Sequence, residues 1–215
     1  MEFDFTTLAE GDRYKLMCAA ITPRPIAWIT SQSAAGVRNA APFSFFNMMG
    51  ADPPLVAVGL MNRPGGGDKD SAANILETGE FVVNLVAEAD AEAMSFTCID
   101  APPDFDEIEE GGIRVAPSSV VGAPRIASAP VSMECKLFET VEARSTTIVI
   151  AEVLRFHIRD EFFDGARLHV DTAAMKLVAR MHGRSWYARS TDRFELERPV
   201  YSEWVAKRGG AKSDG

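Results

Sequence analysis

Apolar and polar positions alternate in short runs along most of the chain. Ile26-Ala27-Trp28-Ile29-Thr30 is rich in strand formers, and the polar stretch 31–36 that follows reads as a turn. A second strand is expected over 37–46, bent near Pro42, and a third, almost wholly apolar, over 55–60 after the turn Asp52-Pro53-Pro54. Further strands are expected at 81–86, 131–141 and 146–158, with a short one at 167–170. Helical spacing is rarer. Ala72, Ala73, Ile75 and Leu76 make an apolar stripe that predicts a helix over 68–78, stopped by Gly79. A first helix over 6–17 has Thr6 or Thr7 as its expected cap, Pro23 and Pro25 bar any helix beyond it, and 87–97 has helical composition. The acidic, turn-rich run 100–112 reads as an exposed loop. Many short strands without a regular strand–helix alternation argue against a parallel sheet. They predict a mainly β fold with flanking helices, an antiparallel barrel.

The chain has 215 residues, enough for one domain with a sizeable core; we expect that domain over 1–206. The remainder, 207–215, carries no large apolar residue and is expected to be disordered. Twenty-two basic residues against 31 acidic ones give a net charge of −9, a poor match for nucleic acid. No apolar run approaches the ~20 residues of a membrane helix, and the N-terminal stretch has no apolar core of a cleaved leader. Cys18, Cys98 and Cys135 are too scattered for a disulfide framework and read as packed residues. A reduced, cytoplasmic protein without membrane contact is expected.

Candidate chemistry is sparse. His157, His169 and His182 lack zinc-ligand spacing, so no metal site is expected, and no GxSxG elbow occurs. His169 and Asp171 could share a strand face, most simply as a hydrogen-bonded pair. The best local feature is Lys69-Asp70-Ser71 at the start of the predicted 68–78 helix. The first N–H groups of a helix are unpaired and its dipole is positive there, which favours a phosphate. Lys69 and the Ser71 hydroxyl could complete the shell, while glycines 65–67 would let a loop pass close by. The competing reading is plain: Asp68 or Asp70 caps the helix and Lys69 is a solvated charge. Asp70 should cap, or pair with a base, rather than face an anion.

Five blocks make a larger pattern: PRPIAWITS (23–31), GVRNAAPFSFFN (36–47), DPPLVAVGL (52–60), KDSAANILETGEFVVNL (69–85) and APVSMECKLFE (129–139). In this order and spacing they resemble the flavin reductase-like, FMN-binding split-barrel family, which includes flavoredoxin and reductase components of two-component monooxygenases. The resemblance spans roughly residues 15–190. It implies a split β-barrel that dimerises with itself and holds FMN at or near the dimer interface. It places Thr30 and Ser31 beside the flavin, the stretch Ser44, Phe45, Phe46 and Asn47 along its ring, and Lys69, Asp70 and Ser71 at its phosphate. Family members often have Thr where this chain has Ser71.

Strand alternation divides the aromatic stretch: Ser44 and Phe46 on one face, Phe43 and Phe45 on the other. Core packing is the simpler role for Phe43 and Phe45. Arg24 is either a surface charge or a contact to the flavin or its phosphate. In the resembling family the region 179–189 closes over the flavin, and Arg180, Gly183 and Tyr187 match its pattern; a salt-bridged surface is the alternative. The resemblance implies hydride transfer from NADH or NADPH to flavin N5, with no catalytic side chain required. An electron carrier that keeps FMN and serves a protein partner, such as a monooxygenase, is the second activity it allows.

Overall fold

A computed structural model describes residues 1–210 apart from 64 and 103; for 206–210 only the backbone is described. Helix α1 spans Glu10–Ala20 and leads into β1 (Arg24–Pro25), β2 (Ala27–Gln32), β3 (Arg38–Phe43), β4 (Phe46–Ala51) and β5 (Pro54–Met61). Helix α2 (Asp70–Thr78) precedes β6 (Glu80–Leu85), α3 (Ala91–Phe96), α4 (Glu107–Glu110), β7 (Val115–Ala116) and β8 (Arg125–Ile126). Two long strands, β9 (Val131–Ala143) and β10 (Thr146–Ile158), are followed by β11 (Phe163–Asp164), β12 (His169–Val170), β13 (Val178–Arg180), β14 (Tyr187–Arg189) and α5 (Tyr201–Gly210).

Seven strands form one antiparallel sheet in the order β3-β2-β6-β9-β10-β5-β4. Its two edges, β3 and β4, are successive in the chain and separated only by Ser44 and Phe45. The sheet must curl until those edges approach, which makes it an open barrel. Alternation fills the inside: Ala27 and Ile29, Phe81 and Val83, Met133 and Cys135, Val149 and Ala151, Val56 and Val58 share one cluster. Helix α2 adds Ala72 and Ile75 to it, and Gly79 ends that helix at φ +71°, a conformation glycine adopts without strain.

The outer face of β2, β6 and β9 is buried too, and there polar groups sit beside the apolar Trp28 and Val82. Asn84 donates from Nδ2 to Trp28 O and Thr30 Oγ1; its Oδ1 accepts from Ile126 N at 3.0 Å and Ser132 Oγ at 2.8 Å. Thr30 donates in turn to Pro124 O. Glu134, with 0% exposure, accepts from Ser119 N, Val120 N and His157 Nε2. Burial raises its pKa, but those donors outweigh it and hold the carboxyl below the usual value. Segment 117–126 is thus pinned to the barrel by hydrogen bonds.

Several expectations need correction. The strand expected over 37–46 breaks at Ser44-Phe45, and its last residue, Phe46, starts β4 on the opposite edge. Alternation does not cross such a break. Phe43 and Phe46 both pack against the inner cluster, whereas Phe45 is 37% exposed. The first helix starts at Glu10 after Ala9, and Thr6 bonds Asp4 instead of capping it. Lys69, not an aspartate, precedes α2. Cys18 and Cys135 are buried, but Cys98 is exposed. The acidic run is no free loop: Asp106 caps α4, and Glu107 and Ile108 are buried. Helix α5 enters the expected tail as far as Gly210; 211–215 lie outside the described residues.

Asn84 is the polar hub of the outer face. Asn84→Ala strands the Ile126 amide and should lower unfolding free energy by about 2–4 kcal/mol in urea titrations; a loss below about 1 kcal/mol would show the network to be dispensable.

Candidate functional site

Around α2, Lys69 is exposed at the N-terminal position, where the helix leaves its first amides free. Asp70 is held by Arg63, with both carboxylate oxygens within 2.8 Å of Nη2, so its charge is neutralised by a base. That pairing was one of the two roles expected for it. Gly65, Gly66 and Gly67 have φ of +92°, +99° and +89°, a bend open only to glycine without strain. Ser71 is buried, and its Oγ accepts from Asn39 Nδ2 at 2.7 Å. Ser31 is buried as well and accepts from Asn74 Nδ2. Thr30, bound to Pro124 O, lies under the polar outer network. These three hydroxyls support the local frame from behind.

The remaining residues gather in a small sheet that the sequence pattern did not suggest. Strands β1, β13 and β14 pair so that Arg24 faces Arg180, and Arg180 faces Tyr187. Arg24 is buried and not a surface charge. Its guanidinium donates to Cys18 O at 2.7 Å, Ile21 O at 2.8 Å, Met181 O at 3.2 Å and Ser44 Oγ at 3.3 Å. One side chain thus ties α1, the edge-to-edge link and the 181–187 turn together. Arg180 donates to the carbonyls of Gly183, Arg184 and Trp186 and lies 5.0 Å over the Tyr187 ring. It shapes that turn, with Gly183 at φ +73°, and makes no salt bridge among the described residues.

Two residues that sequence reasoning did not single out complete the region. The Tyr14 ring lies 6.2 Å from Phe45, and burial pushes its hydroxyl pKa up while Arg24 and Arg180 oppose that. Desolvation also raises the Cys98 thiol, against the positive charges of Arg180 and Lys69. No local sequence signal marks either residue, because their partners lie far away in the chain. Phe45 approaches β5 closely: a Cβ on Gly59 would stand 3.2 Å from the Phe45 Cβ. Asn47 is exposed and its Oδ1 accepts from Met48 N.

Beside this region, the buried Glu107 carboxylate accepts from the edge-strand amide of Ala40 at 3.2 Å. Arg38 bonds the neighbouring Asp106 at 2.7 Å. Burial raises the Glu107 pKa, backbone hydrogen bonds lower it, and the charges of Asp70 and Asp106 raise it further. Among the described residues no group of three or more His, Cys, Asp and Glu could hold a metal ion. The region offers helix-end amides and cations for an anion, and exposed aromatic edges for a planar ring.

An antiparallel open barrel with a helix-end cation and an aromatic rim defines the class. The model of the flavin reductase-like domain matches residues 19–177, and the chain belongs to that family. A protein of Deinococcus radiodurans is 43% identical over 207 residues, covering 94% of this chain and 91% of its own. The structure is similar to that of Pseudomonas fluorescens 2-nitrobenzoate 2-nitroreductase (TM-score 0.85, 34% identity, 94% of this chain and 98% of the other). It is also similar to nitrilotriacetate monooxygenase component B of Bacillus cereus (TM-score 0.84, 32% identity, 91% and 98%). Desulfovibrio vulgaris flavoredoxin shares the fold at TM-score 0.70 and 18% identity, covering 94% and 98%. No helix among the described residues is long and apolar enough to cross a membrane.

Glu107 gives a pH test. Its folded pKa lies above the usual 4.5, so as pH rises through that value the unfolded state loses its proton first and stability falls. Glu107→Gln keeps an acceptor for Ala40 and removes that loss. Relative to the parent, the variant should gain stability as pH rises above about 4.5 in urea titrations; parallel pH profiles would contradict this.

Proposed function

We propose that this protein binds FMN and reduces it with NADH or NADPH. The observations that carry the reading are a helix N-terminus preceded by Lys69 and an exposed aromatic edge where Phe45 meets Tyr14, in a chain of the flavin reductase-like family. Lys69 and the first amides of α2 take the phosphate, and the Arg63–Asp70 pair removes the nearest repulsive charge. Asn39 fixes the Ser71 hydroxyl behind that position, leaving its proton to donate forward. Phe45, exposed at the break between β3 and β4, lies against one part of the ring, with Ser44 and Asn47 as neighbouring polar groups. Arg24 and Arg180 hold the surrounding backbone. When bound, the flavin supplies hydride acceptance at N5. The protein orients it and shields it from water.

The working form is a homodimer in the cytoplasm, with FMN near the contact between copies. Reduced flavin or its electrons pass to a partner protein, as expected for a relative of a monooxygenase component B. Protein purified with FMN should be yellow and should bleach anaerobically on adding NADH or NADPH. Bound FMN that neither nicotinamide reduces would instead identify an electron carrier.

Two substitutions test the site. Lys69→Ala should weaken FMN binding to the apoprotein by about 1.5–3 kcal/mol, the range for a hydrogen bond to a charged group. An unchanged dissociation constant removes Lys69 from the site. Phe45→Ala should shift the bound-flavin spectrum with little loss of stability, whereas Phe46→Ala should mainly lower the melting temperature. The reverse pattern would return the ring to the Phe46 side.

A further inference from the structure

Residues 172–191 carry Lys176, Arg180, Arg184 and Arg189 and no aspartate or glutamate, in a chain of net charge −9. A basic segment in an acidic chain draws anions to itself locally. Its arginines are not equivalent. Arg189 is paired with Glu88, and Arg180 is engaged by the carbonyls of Gly183, Arg184 and Trp186. Arg184 is exposed, and its guanidinium makes no hydrogen bond or salt bridge among the described residues.

The turn that carries Arg184 is held in one shape. Besides the bonds from Arg180, Met181 N donates to Trp186 O at 3.0 Å and closes it. A Cβ on Gly183 would stand 3.4 Å from Trp186 Cδ1, so the indole lies along the backbone of its own turn. Trp186 is still 68% exposed, which leaves an aromatic surface open to stacking. A flat ring and an unpaired guanidinium two residues apart suit a ligand that carries a nucleobase and a phosphate on one sugar. The turn also begins beside the proposed flavin edge. Arg24 donates from Nη2 to Met181 O and from Nε to Ser44 Oγ, so a single guanidinium links residue 181 to the neighbour of Phe45.

We propose that this turn seats the adenosine end of the nicotinamide donor, with the adenine on Trp186 and the 2′-phosphate of NADPH on Arg184. The inference rests on the reductase reading above and names its donor. NADH keeps the stack but has no 2′-phosphate for the arginine, so NADPH is preferred. The planar fork of a guanidinium meets two phosphate oxygens at once, which an ammonium does not reproduce.

Ligand binding to the FMN-loaded protein tests this without turnover. Adenosine 2′,5′-bisphosphate should quench tryptophan fluorescence, and the quench should vanish in Trp186→Phe, which retains Trp28 and Trp204. Arg184→Ala should weaken binding of the bisphosphate about tenfold or more and leave that of 5′-AMP within about twofold. In turnover the same variant should raise KM for NADPH about tenfold, with kcat and the KM for NADH within about twofold, and Arg184→Lys should recover part of the loss. Equal effects on NADPH and NADH overturn the 2′-phosphate assignment. A bisphosphate that neither quenches Trp186 nor responds to Arg184→Ala overturns the seat and leaves the basic turn to a protein partner. The two readings fail separately: bound FMN that neither nicotinamide reduces removes both, whereas reduction without the quench or the Arg184 effect removes only the seat.

Discussion

The rest of the molecule depends on a short tether. Strands β3 and β4 are the two edges of a seven-stranded sheet, yet only Ser44 and Phe45 lie between them. From Phe43 to Phe46 the extended chain reaches at most about 10 Å. The sheet is therefore forced to bend, and bending gives it an inside that small and branched side chains fill. The tether also sets what happens at the seam. Phe45 lies outward over Gly59, where a Cβ would stand 3.2 Å from the Phe45 Cβ and press on it. A closure requirement thus produces an exposed aromatic edge at the seam.

Closing the barrel leaves a second demand, the outer face of β2, β6 and β9. Loops cover it, and loops bring backbone amides that need acceptors. Asn84 and Glu134 supply them from the sheet, each with its own hydrogen-bonding capacity engaged. Glu107 does the same for the buried edge-strand amide of Ala40, which would otherwise lack an acceptor. The acids that make the chain so negative are in these places structural acceptors and not a solvated coat.

The barrel was largely legible because inward and outward positions alternate; the expected strand over 146–158 coincides with β10, and that over 131–141 falls short of β9 by two residues. The site was legible only in part. Lys69 could be found because a helix start is a local event. The break at Ser44-Phe45 could not, since PFSFFN has no glycine or late proline to announce a turn and its bend is imposed by distant edges. Nor could the β1–β13–β14 sheet, whose strands are two or three residues long and lie more than 150 residues apart at the Arg24–Arg180 pair. Asp106 and Glu107 read as loop acids because their partners, Arg38 and Ala40, lie in another strand.

Arg24 shows what such long-range assembly permits. Three of its four bonds go to main-chain oxygens, at Cys18, Ile21 and Met181. Every residue type carries that oxygen. The guanidinium senses where the chain runs and is indifferent to which side chains it carries there. Positions 18, 21 and 181 can drift in lineage after lineage without loosening the clasp, while the arginine itself has no substitute of equal reach. Arg180, bonded to three more carbonyls, obeys the same asymmetry.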